Sequence, residues 1–144
     1  MAGVITLAAD STSLILNGRA YTNLIEGDTI IIAPVNPATS HVNAIGGGVN
    51  INERSDRGVY DVTINVQRFS EDDTELNTLL RQSPPVIING SARDNYNRDG
   101  TDGVESWVLE SGSITTQPTG TKNSTDGNAV SQYVIRFRNA SRNI

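Results

Sequence analysis

The stretch YDVTINVQRFSEDDTELNTLL, residues 60–80, contains both of the periodicities that decide the fold class. In its first eight residues, apolar and polar side chains alternate strictly, which predicts a β-strand with one buried and one solvated face. The polar positions are Asp61, Thr63, Asn65 and Gln67. None of these four is basic, so the solvated face is predicted to carry no positive charge.

The second half of the stretch changes to a helical period at Ser70. Ser70 is a favourable N-cap, Asp73 occupies the position that completes a capping box, and the acidic first turn complements the helix dipole. The apolar stripe that follows consists of Leu76, Leu79 and Leu80. Pro84-Pro85 prevents further helix. These signals predict one helix over about residues 71–82.

Upstream of residue 60, short apolar runs alternate with turn sequences. Residues 14–16 and 19–25 flank Asn17-Gly18, a pair that favours a tight hairpin because both residues tolerate positive φ. A third strand is expected at residues 29–33, after Glu26-Gly27-Asp28. The pattern therefore predicts a small antiparallel meander.

The segment between the meander and residue 60 is predicted to be a loop followed by a second β region. Pro34 and Pro37 predict the loop, which carries His41. The β region covers residues 42–51, and Gly46-Gly47-Gly48 within it suggests a bulge or a close backbone approach. Residues 52–58 are rich in charge and are interpreted as a hairpin tip.

Downstream of the helix, polar and apolar segments again alternate. Strands are expected at residues 86–89, 104–116 and 129–139, with polar loops at Ser91–Gly103 and Gln117–Asn128 between them. Together the patterns predict a mainly β protein, a small antiparallel sandwich or barrel with one flanking helix, formed as a single domain by residues 1–144.

Composition narrows the classes of function. The chain has 144 residues, 36% of them hydrophobic, and a formal net charge of −5; the only lysine is Lys122 and the other ten basic residues are arginine. An acidic chain is poorly suited to grip nucleic acid, because that affinity comes from cations displacing phosphate counterions. The chain contains no cysteine, no apolar run of the ~20 residues needed to cross a bilayer, and no convincing signal peptide.

The residues that could carry chemistry do not form a recognisable site. His41 is the single histidine, and no nucleophile or metal-ligand spacing surrounds it, so it is predicted to be a solvated loop residue. Residues 95–100 resemble the start of a calcium loop, but the twelfth position is Ser106 instead of glutamate, which favours a surface loop. We therefore expect no enzyme activity, no metal and no cofactor.

The order of these elements resembles the bacteriophage tail tube protein family. The shared features are an N-terminal hairpin with Leu-Asn-Gly, the segment Glu26–Ile32, a Gly-rich strand leading to a charged tip, and a long alternating strand followed by a capped helix. The resemblance covers residues 12–139. It implies a non-enzymatic subunit of the virion, made in the host cytoplasm, that stacks in hexameric rings around a continuous inner β-barrel through which DNA leaves.

The resemblance also suggests roles for particular residues. The lumen-lining candidates are the polar strand positions Asp61, Thr63, Asn65 and Gln67. The candidates for contact between rings are Glu53, Arg54, Asp56 and Arg57. The candidates for charge pairing between neighbouring subunits are Glu71, Asp72, Arg136 and Arg138. The implied partners are copies of this chain and sheath, baseplate and tail-terminator proteins, with DNA passing unbound and no membrane contact.

Two alternatives remain open at this point. Within the same class, the chain could be a tube-initiating baseplate protein or another virion structural protein of the same fold. From a different class, it could be a carbohydrate-binding or adhesin β-sandwich, which would require exposed aromatic side chains on one platform. Trp107 lies in an apolar run that is predicted to be buried, which favours the structural class.

Overall fold

The computed structural model describes residues 3–7, 12–121, 124 and 129–144. Within these residues there are ten β-strands and one helix. The strands are β1 (Ile5–Leu7), β2 (Ser13–Leu16), β3 (Arg19–Tyr21), β4 (Ile30–Pro34), β5 (Thr39–Asn43), β6 (Val49–Glu53), β7 (Tyr60–Gln67), β8 (Ile88–Arg98), β9 (Thr101–Thr116) and β10 (Val130–Asn143), and the helix is α1 (Glu71–Arg81). The prediction of a mainly β fold with one short helix is confirmed.

Eight of the strands form one antiparallel sheet in the order β3-β2-β8-β9-β10-β7-β4, with β1 paired to the far end of β8. The chain that leaves β3 returns to the opposite end of this order. There, Ile25 N–H donates to the carbonyl of Asn65 at 3.1 Å, and Gln67 N–H donates to the carbonyl of Asn23 at 2.8 Å. The sheet therefore curls around its own apolar face, as in a small barrel.

The core lies inside this curl. The inward side chains of β7 alternate with its polar ones, as the period-2 pattern requires, and they pack against inward residues of five other strands. The largest fully buried side chains include Leu14, Leu16, Ile64, Leu76, Ile88, Leu109, Tyr133, Ile135 and Phe137. They form one hydrophobic cluster, so the curled sheet and the helix stabilise each other through a shared core.

Helix α1 begins and ends close to the predicted positions. Ser70 is the N-cap, and its hydroxyl accepts the amide of Asp73 at 3.3 Å. The Asp73 carboxylate in turn accepts the amide of Phe69 at 3.0 Å. Leu76 is fully buried, while Leu79 and Leu80 pack against the core from its edge. The capping box and the leucine stripe are both confirmed.

The hairpin predicted at Asn17-Gly18 is also confirmed, since both residues have positive φ, 49° and 79°, and β2 pairs with β3 across them. The second strand is shorter than predicted. It ends at Tyr21, and of the residues up to Ile25 only Leu24 forms a bridge, to Val66 of β7. The chain leaves β3 there because it crosses to the other end of the sheet.

The predicted polar loop Ser91–Gly103 is wrong. β8 and β9 run through it as one long hairpin whose turn is Asp99-Gly100. Neighbouring strands supply backbone partners on both sides of β8, so the segment is extended in spite of its polarity. The other predicted loop, Gln117–Asn128, is irregular at residues 117–121, and residues 122–123 and 125–128 lie outside the described residues.

The region before β7 differs from the prediction in two further respects. β5 and β6 form a separate two-stranded sheet, and Gly46-Gly47-Gly48 lies at its turn instead of forming a bulge within a strand. Residues 54–58 form the turn that leads from β6 into β7. The charged segment is thus not the tip of a hairpin but the connection at its base.

Candidate functional site

A polar surface extends across the outer side of strands β7 and β10. These strands pair antiparallel, so each outward residue of β7 lies directly opposite an outward residue of β10. We call this surface the ladder face. Its cross-strand pairs are Asp61 with Arg136, Thr63 with Val134, and Asn65 with Gln132. The intervening residues Val62, Ile64 and Val66 are fully buried. One face of β7 therefore packs in the core and its other face forms this surface.

The Asp61–Arg136 pair is bidentate. Arg136 Nε donates to Asp61 Oδ1 at 2.8 Å, and Arg136 Nη2 donates to Asp61 Oδ2 at 3.0 Å. The hydrogen bond from Arg136 lowers the pKa of Asp61 below its usual value, and the same bond raises the pKa of Arg136. The four β7 positions carry no basic residue, as predicted, but an arginine from β10 joins this surface, and the Asp61 carboxylate matches its charge.

The amide groups of the ladder face are engaged in the same way. Gln132 Nε2 donates to Asn65 Oδ1 at 3.1 Å, and Asn65 Nδ2 donates to the backbone carbonyl of Asp28 at 2.7 Å. Three of the side chains on this surface that can donate hydrogen bonds, Asn65, Gln132 and Arg136, thus already donate to atoms of the same chain. The hydrogen-bond donors of this surface are therefore partly occupied within the subunit.

Two other predicted residues lie outside this ladder. Gln67 is exposed at the end of β7, opposite Val130. Arg138 lies farther along β10, where it lines an open cleft together with Arg57 and Glu110. Arg138 makes no ion pair with any carboxylate in the described part of the chain. Of the two arginines predicted to pair between subunits, Arg136 is already paired with Asp61, and Arg138 has no carboxylate partner among the described residues.

The hairpin formed by β5 and β6, residues 39–53, projects from the body of the subunit, and we call it the arm. Every residue of its strands except Ser40 is exposed. Four large apolar side chains on it, Val42, Ile45, Val49 and Ile51, are each more than half exposed. A two-stranded hairpin is only marginally stable by itself in water, so the arm has the composition of a contact surface for another chain.

The four charged residues at the base of the arm pair with one another. Arg54 Nη2 lies 2.8 Å from Asp56 Oδ2, and Arg57 Nη2 lies 2.8 Å from Glu53 Oε1. The bond from Arg54 lowers the pKa of Asp56. The turn therefore carries four charged side chains on its surface, but they form two ion pairs, so its net charge is zero.

Helix α1 uses two of its acidic residues inside the subunit. Asp72 is 1% exposed, and its carboxylate accepts hydrogen bonds from Arg19 Nη2 at 3.1 Å and from the amides of Thr22 and Asn23 at 2.9 and 2.7 Å. Its predicted role in pairing between subunits is corrected on this ground, since the carboxylate faces the chain's own turn after β3. Glu71 is exposed and stays a candidate for contact with a neighbour.

Asp73 connects the same helix to β10. Its carboxylate accepts the Tyr133 hydroxyl at 2.7 Å and the Ser131 hydroxyl at 3.0 Å. Burial, and then the bond to Asp73, raise the pKa of the Tyr133 phenol. Burial likewise raises the pKa of Tyr21 to about 12. The bonds that Asp73 accepts from Tyr133 and Ser131 hold α1 against β10.

Within the described ranges, no group of three or more His, Cys, Asp or Glu side chains is arranged to hold a metal ion. His41 lies in β5 and not in a loop, and its side chain is exposed.

Residues 95–100 complete the β8–β9 hairpin, so they are not a flexible loop. Trp107 is half-buried and meets the Tyr60 ring edge-on at 5.4 Å between centroids. No helix of the described chain has the length and apolarity that a membrane span requires.

Sequence reasoning found the β7 side of the ladder face and missed its β10 side. The signal was present, because residues 132–138 alternate as clearly as residues 60–67, with Gln132 and Arg136 at the polar positions. The register that sets Arg136 against Asp61, 75 residues away, depends on the three-dimensional pairing. Alternation predicts two amphipathic strands, but it does not predict which residues meet.

Comparison with known proteins finds similarity at the level of structure. No family model matches the chain, and no curated protein matches it. Among solved structures, the chain is similar to the "Cryo-EM structure of the anti-feeding prophage cap (AFP tube terminating cap)", with a TM-score of 0.65 and 15% sequence identity over 99% of this chain and 94% of that chain. Such coverage of both chains at this identity shows that the two chains share a fold.

Proposed function

We propose that this chain is a non-enzymatic structural subunit of a phage-tail-like particle, located at an end of its tube. The observation that carries the proposal is the near-complete structural match to a protein whose description is a tube terminating cap. That match supports the structural class over a carbohydrate-binding module. Of the two structural roles considered, the match favours another structural protein with the tube fold over the subunit that repeats along the tube.

The arm supports an assembling role. Its four apolar side chains, Val42, Ile45, Val49 and Ile51, are exposed in the isolated subunit. Covering an apolar side chain of this size fully contributes about 1.5–3 kcal/mol, so a neighbour that covers even part of the arm gains substantial free energy. In the proposed assembly, the arm and the charged turn at its base contact the adjacent ring. The two ion pairs of that turn can then exchange partners with charged residues of the neighbouring ring.

The ladder face is proposed to line the opening of a ring of subunits, hexameric by analogy with tail tubes. A channel for DNA must not hold the phosphates that pass through it, because attraction accumulates along a polymer with one charge per ~1.7 Å. A surface whose arginine is matched by a carboxylate and whose amides donate to the same chain suits this requirement. The other proposed partners are tube, sheath and baseplate proteins of the particle, and DNA passes without specific contact.

Negative-stain electron microscopy of the purified protein tests the proposal. We expect single or paired rings that do not grow with concentration, because a terminating subunit stacks on a tube on one side only. Long tubes would instead identify the repeated subunit of the tube. Monomers at every concentration, with the arm still exposed, would contradict both positions.

A further inference from the structure

The ladder face contains an arginine in spite of its proposed position beside DNA, and the structure indicates how that charge is controlled. We infer that Asp61 is a specificity-determining residue that makes the ladder face indifferent to phosphate by holding the guanidinium of Arg136. The inference extends the proposed function, since it names the residue that keeps the arginine of the ladder face from binding the polyanion inside the ring.

The geometry of the pair carries the inference. Asp61 and Arg136 are direct cross-strand partners, and both carboxylate oxygens accept from the guanidinium, at 2.8 and 3.0 Å. This bidentate arrangement is also the one by which arginine recognises phosphate. The carboxylate therefore occupies the Nε edge of the guanidinium and balances the positive charge that would attract a phosphate to its other edge. Asp61 is the one acidic residue of the ladder face, so no second carboxylate on that surface can replace it.

The pair has little weight as a stabilising contact. The side chains of Arg136 and Asp61 are 51% and 30% exposed, and water screens ion pairs at such positions, so their contribution to folding is small. Hydrophobic residues of β7 and β10 pack together in the core beneath them, which also holds the two strands together. The measurable effect of the pair is instead on the positive charge of Arg136 that the ladder face exposes to a ligand.

The subunit contains a matched ion pair on another surface. Arg142 Nε donates to Glu105 Oε2 at 2.7 Å, and these side chains are 50% and 28% exposed, nearly the same as in the ladder pair. Glu105 has an acidic cross-strand neighbour, Asp94, so a carboxylate stays beside it on β8 when it is neutralised. Asp61→Asn and Glu105→Gln change the net charge equally, but Asp61→Asn leaves Arg136 with no carboxylate on the ladder face, whereas Asp94 remains beside residue 105.

The experiment measures binding of a DNA duplex to the full-length wild type, Asp61→Asn and Glu105→Gln by fluorescence anisotropy at several salt concentrations. One new phosphate contact steepens the dependence of log K on log salt by about 0.9. Between about 200 and 50 mM salt, Asp61→Asn should therefore gain roughly three- to fourfold more affinity than Glu105→Gln. The double substitution Asp61→Asn with Arg136→Gln should return binding to the wild-type level.

Each outcome decides the matter. Equal gains in Asp61→Asn and Glu105→Gln would show that only net charge counts, and no gain in Asp61→Asn would show that the carboxylate does not control Arg136; either result overturns the inference. Circular dichroism verifies folding, and Asp61→Ser serves as a second neutral variant. If neither variant folds, the pair is structural and the inference is wrong. Ring formation by the same variants is scored separately, so a protein that gains DNA binding but forms no rings retains the inference and loses the proposed function.

Discussion

Replacing the buried Asp72 with alanine should destabilise the subunit by about 3 kcal/mol. The carboxylate accepts the amides of Thr22 and Asn23 and the guanidinium of Arg19. Each partly buried amide left without this acceptor costs about 1 kcal/mol or more. Arg19 is 34% exposed and can turn toward water, which keeps the total at the lower end of the 3–5 kcal/mol typical of a broken buried ion pair.

Thermal unfolding followed by circular dichroism measures this loss. For a domain near this size, 1 kcal/mol corresponds to about 4 °C, so Asp72→Ala should melt about 12 °C below the wild type. The matched control is Glu75→Gln, because Glu75 Oε2 lies 3.7 Å from Arg19 Nη1 and its side chain is 40% exposed; its melting temperature should change by no more than about 2 °C. If Asp72→Ala melts as the control does, the assignment of Asp72 to the subunit's own fold is wrong.

Three further predictions concern the sheet, the phenols and the arm. A Cβ at Gly90 would lie 2.1 Å from a backbone carbonyl oxygen of β2, so Gly90→Ala should separate β2 from β8 and lower stability by at least about 1–3 kcal/mol in urea unfolding; a wild-type midpoint would contradict the close approach. Tyr21 and Tyr133 keep their protons to higher pH in the folded chain than in the unfolded one. The free energy of unfolding should therefore be highest below about pH 10 and fall as the pH rises toward 12. Equal urea midpoints at about pH 9 and 11 would refute this. Replacing Ile45 and Ile51 with serine should leave the melting temperature unchanged, since neither side chain belongs to the core, while abolishing ring stacking in electron micrographs; intact stacking would exclude the arm as the contact.

The elements that could be predicted from sequence are those whose own side chains determine them. β7 alternates over its whole length, and α1 has a capping serine, an acidic first turn and a leucine stripe. In both, the periodicity that produces the amphipathic face also fixes the secondary structure. The Asn17-Gly18 turn belongs to the same group, because its conformation depends on two adjacent residues.

The elements that were missed depend on neighbours distant in sequence. Residues 91–98 contain two arginines, an aspartate and two asparagines, a composition typical of loops, and they are extended because β1, β2 and β9 pair with them. Asp99-Gly100 has positive φ at both residues, 52° and 82°, and the Asp-Gly pair was a hairpin signal that could have identified the turn.

The candidate site was predictable in part for the same reason. One polar edge of the ladder face follows from the alternation in β7, but its charge balance depends on the register with β10. Asp72 shows the converse case, since an acidic residue in a helix's first turn is normally solvated. Its burial follows from the path of the chain after β3, which no local pattern reveals.

The central claim is that copies of this subunit close into a ring whose opening is lined by the ladder face. A cryo-electron microscopy reconstruction of rings formed by the purified protein measures this directly. The account predicts that β7 and β10 face the opening, with Asp61 and Arg136 paired at its wall and the arms directed along the ring axis. Rings in which the ladder face points outward, or in which other strands line the opening, would contradict it.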